Sequence, residues 1–278
     1  MTEPPQQPPT PPPRRLYWMS GAPSSWRVLL ALELKHLPYE AIRLDASQGE
    51  THTEEFLRVN PRGQVPVLID HEKGGGVAIY ESFAILMFLE KHYRQIPLLA
   101  PPQEPALYAH AITRACECEN FHRSMLDLYR CLKKVNGGAP LGGACRGLIE
   151  QKRNSLMKEI LLWEGTYLAD GATYVCGCRV GLADISLFPM VAFAVRQGLQ
   201  LDAFPRFSRF YHCMQALPEV QRTWPPHWKE QGATAVMDPA WLQSIAPLDA
   251  AAQAQAQAQA QSQTQAVAAQ AQAQAMHT

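Results

Sequence analysis

Between residues 15 and 93 the spacing of apolar positions changes several times, and each change predicts an element. Arg15–Met19 (RLYWM) is a short aromatic run that reads as a strand, closed by the turn cluster Ser20-Gly21-Ala22-Pro23. Trp26, Leu29, Leu30 and Leu34 then recur at helical spacing, with Ser24 or Ser25 as the expected cap and His36-Leu37-Pro38 as the stop. Tyr39–Leu44 is a second strand, and Phe56-Leu57 lies in a short helix closed by Asn60-Pro61. Val65–Ile69 is a third strand with a proline at its start, Gly74-Gly75-Gly76 a hairpin turn, and Val77–Tyr80 a fourth strand. Ser82–Tyr93 is a helix carrying Phe83, Ile85, Leu86, Phe88 and Leu89. The predicted order is β-α-β-α-β-β-α.

After Pro97–Pro102 (PLLAPP), a natural linker, only helical periods remain. They cover Ala106–Lys134, Leu148–Ala169, Leu182–Gln197 and Phe207–Ala216, with the glycine-bearing Leu141–Gly147 as a flexible connection. The plan is a small α/β domain over 14–96 followed by an all-helical domain over 103–231.

Both ends of the chain are low in complexity. Residues 1–13 hold seven of the 23 prolines and are expected to form a disordered, polyproline-like leader. That leader contains Glu3 and no arginine, a poor match to a transit peptide. Residues 250–278 alternate mostly Ala and Gln. Both residues favour helix, but a period of two gives a helix no apolar stripe, so a mobile or marginally helical tail is expected.

Composition then narrows the function. Of 278 residues, 47% are hydrophobic and 18% charged, with 25 basic against 25 acidic side chains. That balance is ordinary for a globular protein and argues against nucleic-acid binding through a broad basic surface. No apolar run is long enough to span a bilayer and no charged-then-apolar leader opens the chain, so neither membrane insertion nor secretion is expected; the expected compartment is cytoplasmic. Seven cysteines, two pairs of them in C-x-C spacing (Cys116/Cys118 and Cys176/Cys178), match neither a disulfide scaffold nor a zinc finger, and no metal site is expected.

Candidate chemistry sits around Val65-Pro66. A proline at a strand start is compatible with an ordinary trans edge position. The alternative is a cis bond, found in about one X-Pro bond in twenty, which exposes the backbone of Val65 to a ligand. Tyr80-Glu81-Ser82 follows one hairpin later, at a helix N-terminus. Unpaired amides and a partial positive charge there suit a carboxylate, and Glu81 beside them suits an ammonium group. An amino-acid zwitterion would satisfy both; Ser82 as a plain helix cap is the competing reading.

On these residues the stretch Arg15–Tyr93 resembles the N-terminal thioredoxin-fold domain of cytosolic glutathione transferases. The motifs that carry the resemblance are SGAPSSWRVLLALELK, NPRGQVPVLID and YESFAILMFLEKHY. In the second domain, Val180–Phe193 (VGLADISLFPMVAF) resembles the buried helix of that family, and TWPPHW the C-terminal end of some members. The chain is most similar to the rho class, the fish A-like transferases, over about Arg15–Gln231. The resemblance implies a thioredoxin-like α/β domain plus an all-α domain, a homodimer, glutathione as co-substrate with no further cofactor, and a small apolar electrophile as its partner.

It also implies where glutathione lies. The cysteinyl backbone pairs with Val65 beside Pro66, and the γ-glutamyl end meets Glu81 and Ser82 with Gln64 nearby. His52 falls where many relatives place a Lys or His near the glycyl carboxylate, and a solvated loop histidine fits equally well. The thiol must ionise to attack; lowering a thiol pKa by two units costs about 2.7 kcal/mol. A helix N-terminus and one hydroxyl hydrogen bond supply that much.

The hydroxyl candidates are Ser24, beside Pro23 at the helix start, then Ser25 and Ser20; Tyr17 lies earlier, within the strand. The turn departs from the family: fish rho-type sequences resemble SGSPPCWRV, so a family Ser falls at Ala22 and a family Cys at Ser25. Omega-like thiol transferases have CP at Ala22-Pro23, and zeta-type proteins a Ser-Ser-Cys turn; neither is present. The expected activity is glutathione conjugation. A non-catalytic binding module and a glutathione-dependent isomerase or peroxidase are the alternatives.

In the second domain, relatives have Ser or Thr where Gly181 stands, and Asp184 three residues on completes a capping box, a structural role. The electrophile pocket is expected along the long helix around Phe121–Tyr129.

Overall fold

The computed structural model describes residues 12–101, 103–136, 143–169 and 171–230. The expected leader lies almost wholly outside the described residues, the Ala/Gln tail wholly so, and the Leu141–Gly147 connection in part. Two compact units divide at Ile96/Pro97.

In the first unit β1 (Arg14–Trp18), α1 (Pro23–Leu34) and β2 (Glu40–Arg43) are followed by two single 3-10 turns, Ala46–Gln48 and Glu50–His52. Then come α2 (Glu54–Val59), β3 (Val67–Asp70), β4 (Ala78–Tyr80) and α3 (Ser82–His92). The sheet order is β2-β1-β3-β4. β2 runs parallel to β1 because α1 supplies the crossover between them, while β3 and β4 are an antiparallel hairpin. This is the mixed sheet of a thioredoxin-like domain, in the predicted order of elements.

Side-chain alternation sorts the two faces of the sheet. Leu16 and Leu68, paired across β1 and β3, are fully buried, as are Val28, Leu30 and Leu32 of α1 and Ile85 and Leu89 of α3, the two helices packing side by side. Tyr17 points to the other face, where its ring lies 5.5 Å from Phe56 of α2.

A polar knot closes the far end of the sheet. Asp70 is fully buried and accepts from Tyr93 Oη at 2.5 Å and from the amides of Lys73 and Gly74, with Arg14 Nε 3.3 Å away. Burial alone would push its carboxyl up, but these donors and the Arg14 charge hold it below the usual range. Tyr93 is correspondingly pushed up to about 12 by burial and by Asp70. Lys35, also buried, donates to the carbonyls of Tyr93 (2.9 Å) and Ile96 (2.8 Å) and pairs with Glu90, which pins the end of the unit.

The second unit holds α4 (Pro105–Asn136), α5 (Gly143–Leu162), α6 (Leu182–Arg196), α7 (Pro205–Gln215), α8 (Pro218–Thr223) and α9 (Pro226–Glu230). α6 is the centre: Leu182–Ala194 are buried all round, as a helix apolar on every face must be. α4 flanks it, burying Phe121, Met125 and Leu128. α5 packs along α4, with Lys152 bonded to Asp127 at 2.7 Å, and runs into one π-type turn, Trp163–Tyr167. Glu164 in that turn accepts from the amides of Arg206 (3.0 Å) and Phe207 (2.9 Å). It thereby caps α7, whose own cap residue, Phe204, has no polar side chain.

Several boundaries differ from expectation, each for a local reason. The third strand begins at Val67, not Val65, because the bend at Val65-Pro66 takes both residues out of the ladder. α1 is capped by Ala22, not by Ser24 or Ser25: Pro23 occupies the first helical position, where its missing N–H costs nothing. The helix expected over Leu148–Ala169 starts earlier and ends in the π-type turn. α8 and α9 were not anticipated; each opens on a proline and is too short to show a period.

Candidate functional site

The strand registers bring three chain segments to one end of the sheet. Tyr17 of β1 and Tyr80 of β4 both sit opposite Val67 of β3. One step further along the ladder lie Trp18-Met19, Val65-Pro66 and Glu81-Ser82. The turn that follows β1 leads into the N-terminus of α1 at the same end.

Val65-Pro66 is a cis bond. The loop before it is shaped by Asn60, which is buried. Its Nδ2 donates to the Gln64 carbonyl at 2.7 Å and its Oδ1 accepts from the Arg62 amide at 3.1 Å. Gly63 has φ of 60°, and a Cβ there would stand 2.9 Å from the Thr51 carbonyl and 3.3 Å from His52 Nε2. The loop therefore lies directly against the 50–52 turn. His52 itself is exposed, and its Nδ1 is 2.9 Å from Thr51 Oγ1, so Nε2 is the end turned to the Gly63 loop. Gln64 is exposed and Val65 half-buried.

Glu81 has φ of 68° and ψ of 111°, a backbone conformation that L residues rarely adopt. Such a conformation persists only where its surroundings impose it, and it gathers at ligand-binding positions. It turns the exposed Glu81 side chain out while Ser82 enters α3. Ser82 Oγ is 3.5 Å from Arg27 Nη1 and accepts from it. Arg27 is 1% exposed on α1, so a buried cation stands directly behind the Ser82 hydroxyl. Sequence reasoning missed Arg27. The signal was available: α1 buries every residue from Ser25 to Leu32, and an arginine inside such a helix must meet polar groups.

The three hydroxyl candidates are placed differently. Ser24 is at the second position of α1, half-buried, and its hydroxyl has no hydrogen-bond partner among the described residues. Ser25 has zero exposure, and its Oγ accepts from the Met19 amide at 3.4 Å, which ties the turn to the helix. Ser20 is in the turn itself and half-buried. The first turn of α1 carries no acidic residue to neutralise its N-terminal partial charge. Tyr17 faces Phe56 and borders a separate cleft of about 440 Å³ with Arg15, Ile42 and Thr53.

Along the Phe121–Tyr129 stretch of α4, where the electrophile pocket was expected, Phe121, Met125 and Leu128 are buried and the rest are half-buried or exposed. Phe121 is fully buried against Phe207 (5.9 Å), and Tyr129 packs on Phe193 (5.1 Å). At the start of α6, Asp184 accepts from the Gly181 amide, the half of a capping box that a glycine cap allows. A Cβ at Gly181 would stand 3.0 Å from the Leu98 carbonyl oxygen, which accepts from the Leu182 amide at 2.7 Å. The close approach of Leu98 leaves little room for a side chain at Gly181.

Residues 22–92 match the family model for the glutathione S-transferase N-terminal domain. Glutathione S-transferase A of Pleuronectes platessa is 31% identical over 80% of this chain and 97% of its own length. A glutathione S-transferase from the Antarctic clam Laternula elliptica has the same fold, with a TM-score of 0.71 and 32% identity over 80% of this chain and 97% of that one. A maleylacetoacetate isomerase from Methylobacterium extorquens AM1, solved with malonate and glutathione bound, is 28% identical over 76% of this chain and 96% of that one, with a TM-score of 0.63. The chain belongs to the glutathione S-transferase family.

Proposed function

We propose that this protein is a glutathione transferase that binds glutathione at the end of the first unit's sheet and adds its thiolate to small apolar electrophiles. The convergence of the α1 N-terminus, Val65-Pro66 and Glu81-Ser82 at one end of the sheet carries the reading. The cysteinyl backbone pairs with Val65. The γ-glutamyl carboxylate takes the Ser82 hydroxyl and the α3 amides, with Arg27 polarising Ser82 from behind; Glu81 takes the ammonium group, and Gln64 lies beside them. His52 Nε2 is the donor for the glycyl carboxylate. The cysteinyl sulfur then falls at the α1 N-terminus, where the Ser24 hydroxyl donates to it.

The protein supplies little beyond placement and a lowered thiol pKa, since a thiolate is itself a strong nucleophile. The compartment is the cytoplasm, which suits a chain whose seven cysteines are free thiols at rest. The active form is a homodimer; Val77 (67% exposed) and Tyr80 at the edge strand β4 are apolar side chains that a second copy would cover. Light scattering on the full chain is expected to give twice the 31.0 kDa monomer mass, and a mass of one chain would refute the dimer.

The test of the activity is the ultraviolet absorbance of bound glutathione thiolate against pH. The bound thiol is expected to titrate one to two units below the free value of ~8.5. Turnover of an aromatic halide should follow the same pH curve. Binding with an unshifted thiol would leave a non-catalytic binding module. The likeness to a maleylacetoacetate isomerase favours a second reading, cis–trans isomerisation through reversible addition of the same thiolate. Faster turnover of a cis-enedione than of any halide in a substrate panel would select it.

A further inference from the structure

Outside the glutathione site, the loop from Val175 to Gly181 carries both members of one C-x-C pair and is built to a definite shape. Its two ends are held by one side chain. Asp184 Oδ1 accepts from the Val175 amide and Oδ2 from the Gly181 amide, each at 2.8 Å. Inside the loop, Tyr174 and Gly177 exchange backbone hydrogen bonds of 3.0 and 3.4 Å, which closes a four-residue turn. Gly177 has φ of 130°, and a Cβ there would meet nothing within 4 Å. Glycine is therefore needed for the backbone conformation, not for space. Cys176 is half-buried and Cys178 is exposed, one on each side of this glycine.

Two residues apart, the Cα atoms of a pair are at most ~7 Å from one another, and any bend brings them inside the ~4.4–6.8 Å span of a disulfide. A turn already closed by backbone hydrogen bonds has lost much of the entropy that ring closure would otherwise cost.

We propose that Cys176 and Cys178 form a reversible dithiol/disulfide couple, a modification site for glutathione disulfide on the second unit. The exposed Cys178 thiolate attacks one sulfur of glutathione disulfide, forming a mixed disulfide and releasing one glutathione thiolate. The Cys176 thiol loses its proton, and its thiolate attacks the Cys178 sulfur. The Cys176–Cys178 bond forms, the second glutathione thiolate leaves, and the two protein protons pass to the two leaving thiolates. The protein dithiol is oxidised by two electrons and one glutathione disulfide is reduced to two glutathione molecules. The cytosolic disulfides of mesophiles are of this transient kind. The couple uses none of the residues assigned to glutathione conjugation, so it stands or falls apart from that activity.

The test is a glutathione/glutathione disulfide titration of the full chain, quenched with acid, alkylated and digested with trypsin. The peptide Glu159–Arg179 holds only these two cysteines. It is expected to pass from two alkyl groups to none in a single two-electron step, ending two hydrogens lighter than the reduced peptide, and to recover both groups when glutathione is restored. Wild type should accumulate no glutathione adduct, whereas Cys176→Ser should keep one on Cys178. In Cys178→Ser, which alters only an exposed side chain, Cys176 should stay alkylatable throughout. A peptide doubly alkylated across the whole titration would overturn the proposal. So would a stable adduct on wild-type Cys178, or a cross-link to peptide Phe210–Arg222, which holds Cys213 beside Tyr174.

Discussion

Asp184→Ala should lower the stability of the chain by about 3–5 kcal/mol, measured as the urea midpoint multiplied by its slope. The variant removes the acceptor from two backbone amides, Val175 and Gly181, and a buried amide left unpaired costs ~1–3 kcal/mol. Asp184 has no exposure, so its two amides have no bulk water at the acceptor's position in the native structure. Asp184→Asn keeps one acceptor oxygen and should lose about half as much. A loss below ~1 kcal/mol for Asp184→Ala would mean that the loop does not depend on this carboxylate.

The same residue sets a pH dependence. Burial pushes the Asp184 carboxyl up to about 7, against the opposing effect of the amides that donate to it. The unfolded chain titrates near ~3.9. Between those values the folded state holds a proton that the unfolded state lacks, so stability falls as pH rises from about 4 to about 7 and is flat above. The expected fall from this group is a few kcal/mol at most, and Asp184→Asn should abolish it. Asp70 acts in the opposite sense: its carboxyl is held low, so its contribution is present above the unfolded value and is lost as pH drops through the folded one.

Ser24→Ala should raise the pKa of bound glutathione toward ~8.5 and lower kcat/KM by about 10- to 100-fold. That is the ~1.5–3 kcal/mol of one hydrogen bond to a charged acceptor. Glutathione affinity should change little, because the tripeptide is held through Val65, Glu81 and Ser82. Ser25→Ala makes a useful contrast. Its Oγ is occupied by the Met19 amide inside the turn, so its loss should cost stability of about 1 kcal/mol without moving the thiol. An unmoved thiol in Ser24→Ala, with the shift lost in Ser25→Ala or Ser20→Ala, would transfer the role to that residue.

How much of this was legible in the sequence depends on the kind of signal. The order of elements through the first unit could be read because each period is ended by Gly or Pro, as at Gly21-Ala22-Pro23 and Gly74-Gly75-Gly76. α6 was equally plain, with apolar residues on every face of the helix. The bend at Val65-Pro66 could be raised only as one alternative, since a proline at a strand start fits both isomers. The α1 cap was misplaced because two serines outweighed the proline before them. Asn60 was read only as a helix stop, although its loop partners Arg62 and Gln64 lie within four residues of it. Arg27 escaped notice for a different reason: its importance lies in burial and in a partner distant in sequence, Ser82, which no local window contains. The strained backbone of Glu81 is likewise set by tertiary context, for glutamate carries no preference for positive φ.

The close approach of Leu98 to Gly181 bears on how the second unit can be cut from the first. Leu98 and Leu99 are buried, and the Leu98 carbonyl receives the first amide of α6. A chain trimmed at residue 103, where the next helix is about to begin, would leave that amide without its acceptor and open a hole beside a glycine that has no side chain to fill it. The stretch from Pro97 to Leu99, which looks like mere connection in the sequence, belongs to the folding unit on its C-terminal side. Domain exchange with a relative should therefore be made before Pro97, since a crossover after it would separate the carbonyl from the glycine that makes room for it.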